Sequence, residues 1–213
     1  LKNEKAKLNL GVDIALEKNL ESEVHLFPKV DFLFPVAENI FYLFANVGGA
    51  VVKNNFLTMA LENPYVNSSV QPLNTVNKLD LKGGLNGSFS SRVSFLAYIK
   101  YTTFDRMQLY YNDSISTNKF NVAYVNGKVL DIHGELTYRA SEKFVASIHF
   151  DQYKYSMDFD QKAWHRPNTE VKLDAKYNLR DKLYVNAAIF GRGSYFVRVQ
   201  QVGGYSEESV KGY

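Results

Sequence analysis

Apolar and polar residues alternate along this chain over unusually long stretches. The clearest stretch, residues 169–179, carries apolar side chains at every second position: Val171, Leu173, Ala175, Tyr177 and Leu179. The positions between them hold Glu170, Lys172, Asp174, Lys176 and Asn178. A β-strand sends successive side chains to opposite faces, so this pattern predicts a strand with one apolar and one charged face. A helix does not fit, because the residue three positions after Val171 is Asp174.

The same alternation recurs and predicts about nine strands. Their apolar rows begin at Leu8, Val24, Phe41, Leu79, Val93, Leu130, Phe144, Val171 and Leu183. Several of these stretches are about 12 residues long or longer. Strands of soluble proteins are usually about 5–6 residues long, whereas a membrane-spanning β-strand needs about 9–11. Strand length therefore favours a membrane barrel over a soluble sandwich.

Short and long connections alternate along the chain. Short polar turns are predicted near 35–39, 89–93, 139–143 and 178–182. Long connections are predicted near 54–77, 105–118, 157–168 and 192–213, with a compact helix at 56–62 that Pro64 ends. Outer-membrane barrels have short periplasmic turns and longer external loops, so the alternation is typical of that architecture.

The predicted fold class is all-β, with long antiparallel up-and-down strands of a transmembrane outer-membrane β-barrel. Residues 1–213 are expected to form a single barrel segment. Its apolar face would contact outer-membrane lipid and its polar face the barrel interior, since in lipid only helices and closed barrels satisfy every backbone N–H and C=O group. The expected location is the outer membrane of a Gram-negative cell.

Composition narrows the possible functions. The mean hydropathy is −0.27, and no run of residues is long and apolar enough for a transmembrane helix. Acidic and basic residues are interleaved and the net charge is +3, so no basic patch suggests nucleic acid as a partner. The chain has no cysteine, which excludes disulfide scaffolds and thiol chemistry. No catalytic motif is present, so the sequence does not predict an enzyme.

Candidate ligand-binding residues lie in two of the long connections. Asn63, Tyr65 and Asn67 fall in the 54–77 connection and are plausible contacts as members of an exposed loop. Trp164 and His165 precede Pro167 at the start of a predicted strand. A Trp that stacks on a sugar is the functional interpretation of Trp164, and an interfacial anchor of the strand end is the favoured alternative.

Two histidines share the polar faces of neighbouring predicted strands. His133 and His149 have Asp131, Glu135 and Asp151 nearby in sequence. One interpretation is that these residues bind a metal ion or exchange protons. The favoured interpretation is that they are unconnected polar side chains of the barrel interior, because no His-x-His or His-x₃-His spacing occurs on one strand. The sequence therefore predicts no metal site, no cofactor and no catalytic residue.

Several segments resemble a known family. The run 163–182 resembles the late barrel strands of TonB-dependent receptor-like outer-membrane proteins from Bacteroidota, and residues 61–65, 73–75, 133–138 and 153–156 are similar to that family in style. The resemblance spans about residues 24–196, and its motifs are structural ones that do not indicate a substrate. It implies energised uptake of a bulky nutrient such as a metal chelate or an oligosaccharide. External loops would capture the ligand, and TonB would drive movement of a plug domain.

The chain also departs from that family. It contains no plug segment, residues 201–213 lack alternation, and nine is an odd strand number, so we expect an internal part of a larger barrel. Two alternatives to a transporter remain open. One is a non-transporting outer-membrane barrel scaffold. The other is a soluble β-sandwich or lipocalin-like module that binds glycan or lipid, which predicts short strands.

Overall fold

A computed structural model describes residues 6–18, 22–37, 40–113, 118–179, 182–201 and 204–213. The strands are β1 (Lys7–Lys18), β2 (Ser22–Ala37), β3 (Phe41–Val52), β4 (Thr75–Ser90), β5 (Val93–Asn112), β6 (Phe120–Ser141), β7 (Phe144–Met157), β8 (Thr169–Leu179), β9 (Leu183–Arg192), β10 (Tyr195–Gln201) and β11 (Gly204–Val210). One helix, α1, spans Phe56–Glu62, and a short 3₁₀ turn spans Asp158–Asp160. Strands β1 to β9 form one antiparallel sheet in chain order, and β10 pairs with β11 in a separate hairpin.

The register of the main sheet joins the apolar rows into one continuous face. Leu136 pairs with Ile148, Ile148 with Leu173, and Leu173 with Ile189. These side chains are exposed, up to 69% for Ile189. Soluble proteins rarely expose a contiguous apolar surface of this extent, whereas the lipid-facing wall of a barrel requires one. The predicted fold class is confirmed.

A soluble sandwich is wrong for this chain. A sandwich buries the apolar face of one sheet against a second sheet. Here the apolar face of β1 to β9 stays open, and among the described residues the only other sheet is the short hairpin of β10 and β11. No helix within the described ranges is long and apolar enough to cross a membrane.

Buried side chains gather at one end of the sheet, where the predicted external connections lie. One cluster contains Phe104, Leu109, Val125, Met157, Ala163 and Trp164. A second contains Met59, Val66 and Tyr110. The strands of this end are therefore covered on both faces by loop segments, while the rest of the sheet has an open apolar face. We call it the external end.

The connection predicted for 105–118 is largely strand. β5 continues to Asn112, and β6 begins at Phe120. A bulge between Phe104 and Met107 sets two residues of β5 against one residue of β6, and Arg106 there has φ 59°. A bulge resets which positions face each side of a sheet. The alternation therefore breaks at Asp105 although the strand continues.

The other three predicted connections also contain regular structure. The helix predicted at 56–62 is confirmed as α1, and β4 begins at Thr75, inside the predicted 54–77 connection. The 3₁₀ turn lies within 157–168. The 192–213 connection contains the hairpin of β10 and β11. The sequence did not predict this hairpin, because its residues are polar and do not alternate regularly with apolar ones. After this hairpin the chain returns to β9, where Tyr213 N donates to Arg192 O (3.0 Å) and Arg192 N donates to Tyr213 O (2.7 Å).

Candidate functional site

The long connection after β3 is held in place by its helix. Asn55 caps α1: its Oδ1 accepts from Thr58 N (2.9 Å), and the Thr58 hydroxyl accepts from Asn55 N (3.0 Å). Such a capping box satisfies two backbone donors that would otherwise lack partners. Met59 is fully buried and packs against the external end of β5 and β6. The helix therefore presents its last residue, Glu62, at a fixed place.

Glu62 is the centre of a polar network at the external end. Its carboxylate accepts hydrogen bonds from Gln108 Nε2 (2.6 Å) and the Tyr110 hydroxyl (3.1 Å). Arg166 Nη1 lies 2.6 Å from the same carboxylate, and Arg166 Nη2 donates to Gln108 O (3.2 Å). Burial, and then the negative charge of Glu62, raise the pKa of Tyr110. The network ties α1, β5 and the segment before β8 together.

The segment before β8 is fixed by the β10–β11 hairpin. Trp164 Nε1 donates to Glu207 Oε1 (2.8 Å), and His165 N donates to Phe196 O (2.8 Å). The guanidinium of Arg198 lies 4.0 Å from the ring centre of Tyr205 and 5.2 Å from that of Trp164. Cations attract aromatic faces, so this arrangement stabilises the docked hairpin.

A cavity of about 570 Å³ lies among these segments. Its wall includes Asn63 and Tyr65 from the connection after α1, His165 and Arg166 from the segment before β8, and Tyr195 from β10. Glu170 and Arg192 also line it and pair with each other at 3.2 Å. The two carboxylates of this wall thus each have an arginine partner. The rest of the lining is mainly aromatic, with one amide, that of Asn63.

His165 has an unusual conformation in this cavity. Its φ of 58° lies in the left-handed region, which few residues other than glycine adopt and which often marks functional sites. Its ring contacts those of Phe120 and Tyr195, with 5.3 and 5.8 Å between ring centres. Burial, and then the charge of Arg166, lower the pKa of His165 from its ordinary value. Its buried Nε2 has no hydrogen-bond partner in the part of the chain that the structure describes.

The structure brings together three of the five predicted ligand-binding residues. Asn63, Tyr65 and His165 line the same cavity although about 100 residues separate the first two from the third. Asn67 instead supports the loop: its Nδ2 donates to Asp113 Oδ2 (3.4 Å) and Asn121 Oδ1 (3.3 Å). Trp164 does not line this cavity. The residue is 1% exposed, and its indole N–H donates to Glu207 of β11.

A second group of chemically active side chains lies on the polar face of the main sheet. Glu135 pairs directly with His149 in the register of β6 and β7, and His133 pairs with Asp151. Glu135 Oε2 lies 3.5 Å from His149 Nδ1 and 3.9 Å from His133 Nε2. One donor atom from each of His133, Glu135 and His149 lies within 4.8 Å of the other two.

Spacing along one strand could not identify this group. The sequence interpretation required two histidines on the same strand, whereas these come from adjacent strands. The tight β6–β7 turn between Ser141 and Phe144 indicates that the two strands pair, but not their register. Counting back from the Ser141–Phe144 pair would set residue 136 opposite residue 149, whereas a bulge between Arg139 and Ser141 shifts the register by one residue and sets Glu135 opposite His149.

The sheet and its covered external end define a segment of an outer-membrane β-barrel wall. No family model and no curated protein sequence matches the chain. Solved structures do match its fold. The ferripyoverdine receptor of the outer membrane of Pseudomonas aeruginosa, bound to ferripyoverdine, superposes with a TM-score of 0.63 at 14% identity, covering 98% of this chain and 29% of the receptor.

Two further structures give similar superpositions. The copper transporter OprC matches with a TM-score of 0.56 at 12% identity, over 100% of this chain and 36% of OprC. The siderophore receptor PiuA from Acinetobacter baumannii matches with a TM-score of 0.54 at 13% identity, over 98% of this chain and 33% of PiuA. The chain therefore spans about a third of the length of these structures. Identities this low establish the shared fold alone.

Proposed function

We propose that this chain is part of a TonB-dependent receptor that takes up a bulky nutrient across the outer membrane of a Gram-negative cell. The observation that carries the proposal is the cavity at the external end, which separate segments of one barrel wall build together. A barrel scaffold without a ligand needs no such cavity. The proposal is supported by the fold shared with siderophore receptors and a copper transporter, and by the sequence resemblance to the Bacteroidota receptor family.

The partners in this proposal follow from the barrel and from the family. Lipid of the outer membrane covers the apolar face. A plug domain elsewhere in the full-length protein lies against the polar face, and TonB pulls on it from the periplasm. Binding at the external end is thereby coupled to movement of the plug.

The wall of the cavity indicates the kind of ligand. Glu62 pairs with Arg166 and Glu170 with Arg192, so the charges cancel within the wall. Tyr65, which is 65% exposed, and Asn63 then offer an aromatic face and an amide. Aromatic faces and amides suit the apolar faces and hydroxyl groups of a sugar, and equally an uncharged metal chelate. His165 contributes a neutral imidazole to the same wall.

Association with TonB can be tested without knowledge of the ligand. The full-length protein would be purified in detergent from outer membranes of cells that carry TonB, after chemical crosslinking. We expect TonB to copurify, and a variant that lacks the plug domain to lose it. A full-length protein that has no plug domain and retains no TonB would instead be a non-transporting barrel scaffold.

The ligand site can be tested by uptake. Cells expressing the full-length protein would receive radioactive iron as ferrichrome, or a radiolabelled malto-oligosaccharide, with and without a protonophore. We expect accumulation of one probe that the protonophore abolishes. Tyr65→Ala should weaken binding of that probe about 5–30-fold, the effect of about 1–2 kcal/mol at an aromatic contact.

Leu57→Ala is the matched control for Tyr65→Ala. Leu57 is also an exposed side chain of the same connection, and it does not line the cavity. Its replacement should leave uptake unchanged. Equal losses in both variants would mean that the loop as a whole, rather than the cavity, is needed for uptake.

A further inference from the structure

We propose that His133, Glu135 and His149 form a zinc site on the polar face of the barrel wall. The ligand atoms are His133 Nε2, His149 Nδ1 and Glu135 Oε2. The inference is independent of the proposed uptake function, since it concerns a different face and different residues of the chain. A protein with no TonB partner would have the same site.

The three donor atoms are close to the spacing that zinc requires. With metal–ligand distances of about 2.0–2.2 Å, the ligands of a tetrahedral zinc ion lie about 3.4 Å apart. Glu135 Oε2 is 3.5 Å from His149 Nδ1 and 3.9 Å from His133 Nε2, and no pair in the group exceeds 4.8 Å. Shifts of about 0.1 and 0.5 Å at the two Glu135 contacts, and of at most about 1.4 Å between the two imidazole nitrogens, would complete the geometry.

The remaining nitrogen of each histidine faces a carboxylate. His133 Nδ1 lies 2.6 Å from Asp151 Oδ1, and His149 Nε2 lies 3.4 Å from Asp174 Oδ2. Histidines that bind zinc almost always donate their second ring N–H to such an acceptor, which fixes the tautomer and makes the other nitrogen a better ligand. Scattered polar residues would not direct both rings in this way.

The surroundings support a bound cation. Tyr98 stacks on the ring of His133, with 4.5 Å between ring centres, and holds its orientation. The carboxylates of Glu135, Asp151 and Asp174 face the two rings. Among the residues that the structure describes, Lys172 is a cation in contact with these acids, at 3.0 Å from Asp174. Two imidazoles with one carboxylate match zinc better than calcium or magnesium, which prefer oxygen ligands alone.

One coordination position would remain open. The side chain of His149 is 25% exposed and that of Glu135 is 30% exposed, both on the polar face. Three protein ligands with an accessible fourth position are typical of zinc sites that bind water or an exchangeable ligand, whereas purely structural sites are closed by four protein ligands. The fourth ligand would therefore come from the barrel interior.

The test uses the full-length protein in detergent, stripped with a chelator and titrated with zinc chloride. We expect one zinc ion per chain at this site in calorimetry and in elemental analysis. His149→Gln and His133→Gln should abolish that binding event. Asp151→Asn, which alters only the carboxylate behind His133, should weaken it about 10–100-fold. Migration of unboiled protein on a gel checks that each variant is folded.

His25→Gln is the matched control. His25 also lies beside two carboxylates, at 2.8 Å from Glu17 and 3.5 Å from Glu23, but on β2. Its replacement should leave the zinc affinity unchanged. Loss of binding in this variant, with binding retained in His149→Gln, would overturn the assignment.

X-ray absorption at the zinc edge provides a readout that does not depend on any variant. The loaded wild-type protein should show two imidazole ligands and oxygen in the first coordination shell. A folded wild-type protein that takes up no zinc, or a bound ion with fewer than two imidazoles, would refute the site.

Discussion

The guanidinium of Arg106 lies 2.6 Å from the carboxylate of Glu17, 89 residues earlier in the chain. Glu17 belongs to β1 and Arg106 to β5, and three strands separate them in the sheet. Neighbouring strands lie about 4.8 Å apart, so β1 and β5 of a flat sheet would be about 19 Å apart. A direct ion pair between them therefore requires the sheet to curl, as the wall of a barrel does.

The Arg106–Glu17 pair should contribute to stability. The Glu17 side chain is 1% exposed, and loss of its cationic partner would leave a buried carboxylate incompletely satisfied. We expect Arg106→Ala to lower the free energy of unfolding by about 1–3 kcal/mol. Urea titration of the full-length protein in detergent, followed by gel migration of the folded form, measures this change.

A double-mutant cycle provides the control for this prediction. If the two groups interact directly, Glu17→Gln combined with Arg106→Ala should cost less than the sum of the single changes. Strictly additive losses would show that the two side chains act independently.

Gly84 should not tolerate any larger residue, whereas the neighbouring Gly83 should tolerate alanine. A Cβ atom at Gly84 would clash with Ala97 O and would lie 2.7 Å from Tyr98 Cβ, both in β5. At Gly83 the nearest atom to an added Cβ would be 3.9 Å away. We therefore expect Gly84→Ala to separate β4 from β5 locally and to reduce the yield of folded protein in detergent. Gly83→Ala, the control in the same strand, should fold normally. Equal yields for the two variants would contradict the close approach of the strands.

A charged side chain on the open apolar face should destabilise the protein. Leu173 lies in the apolar row of β8 between Ile148 and Ile189. An arginine facing the middle of a bilayer destabilises a barrel by about 2–4 kcal/mol, so Leu173→Arg should lower the free energy of unfolding in lipid vesicles by that amount. Lys176→Arg, on the opposite face of the same strand, should leave it unchanged. If arginine is tolerated at both positions, the face of β8 that carries Leu173 does not contact lipid.

The external end should lose stability in acid. The pKa of His165 in the folded protein lies below its ordinary value of 6.5, so the unfolded chain binds the proton more readily. The stability that neutral His165 contributes is therefore present above pH 6.5 and is lost as the pH falls through the lowered pKa.

Hydrogen–deuterium exchange of segment 162–168 on both sides of that pH measures this loss directly. The protection factor, which is the intrinsic exchange rate at each pH divided by the observed rate, should fall in acid in the wild-type protein. His165→Asn should reduce the acid effect, and asparagine tolerates the left-handed backbone at this position. If the variant responds to acid as the wild-type protein does, another titratable group causes the response.

The site illustrates what sequence patterns can locate. Loop position was enough to suggest Asn63, Tyr65 and His165, which meet in one cavity. The same reasoning suggested Trp164, which is instead buried against the β10–β11 hairpin. Burial of an aromatic residue in a loop depends on what packs over it, and no pattern around residue 164 encodes a partner at residue 207.

The sequence by itself determined the fold class, because the side chains of a strand alternate with a period of two residues whatever the rest of the chain does. That period is visible in the apolar rows of β1, β8 and β9. Short turns between successive strands then set the order of the strands in the sheet. The tertiary structure alone decided which residues meet across strands. The bulge at Arg106, the docking of α1 through Glu62, and the convergence of His133 with His149 all depend on register and curvature. These properties arise from pairing between distant segments and leave no local periodicity in the sequence.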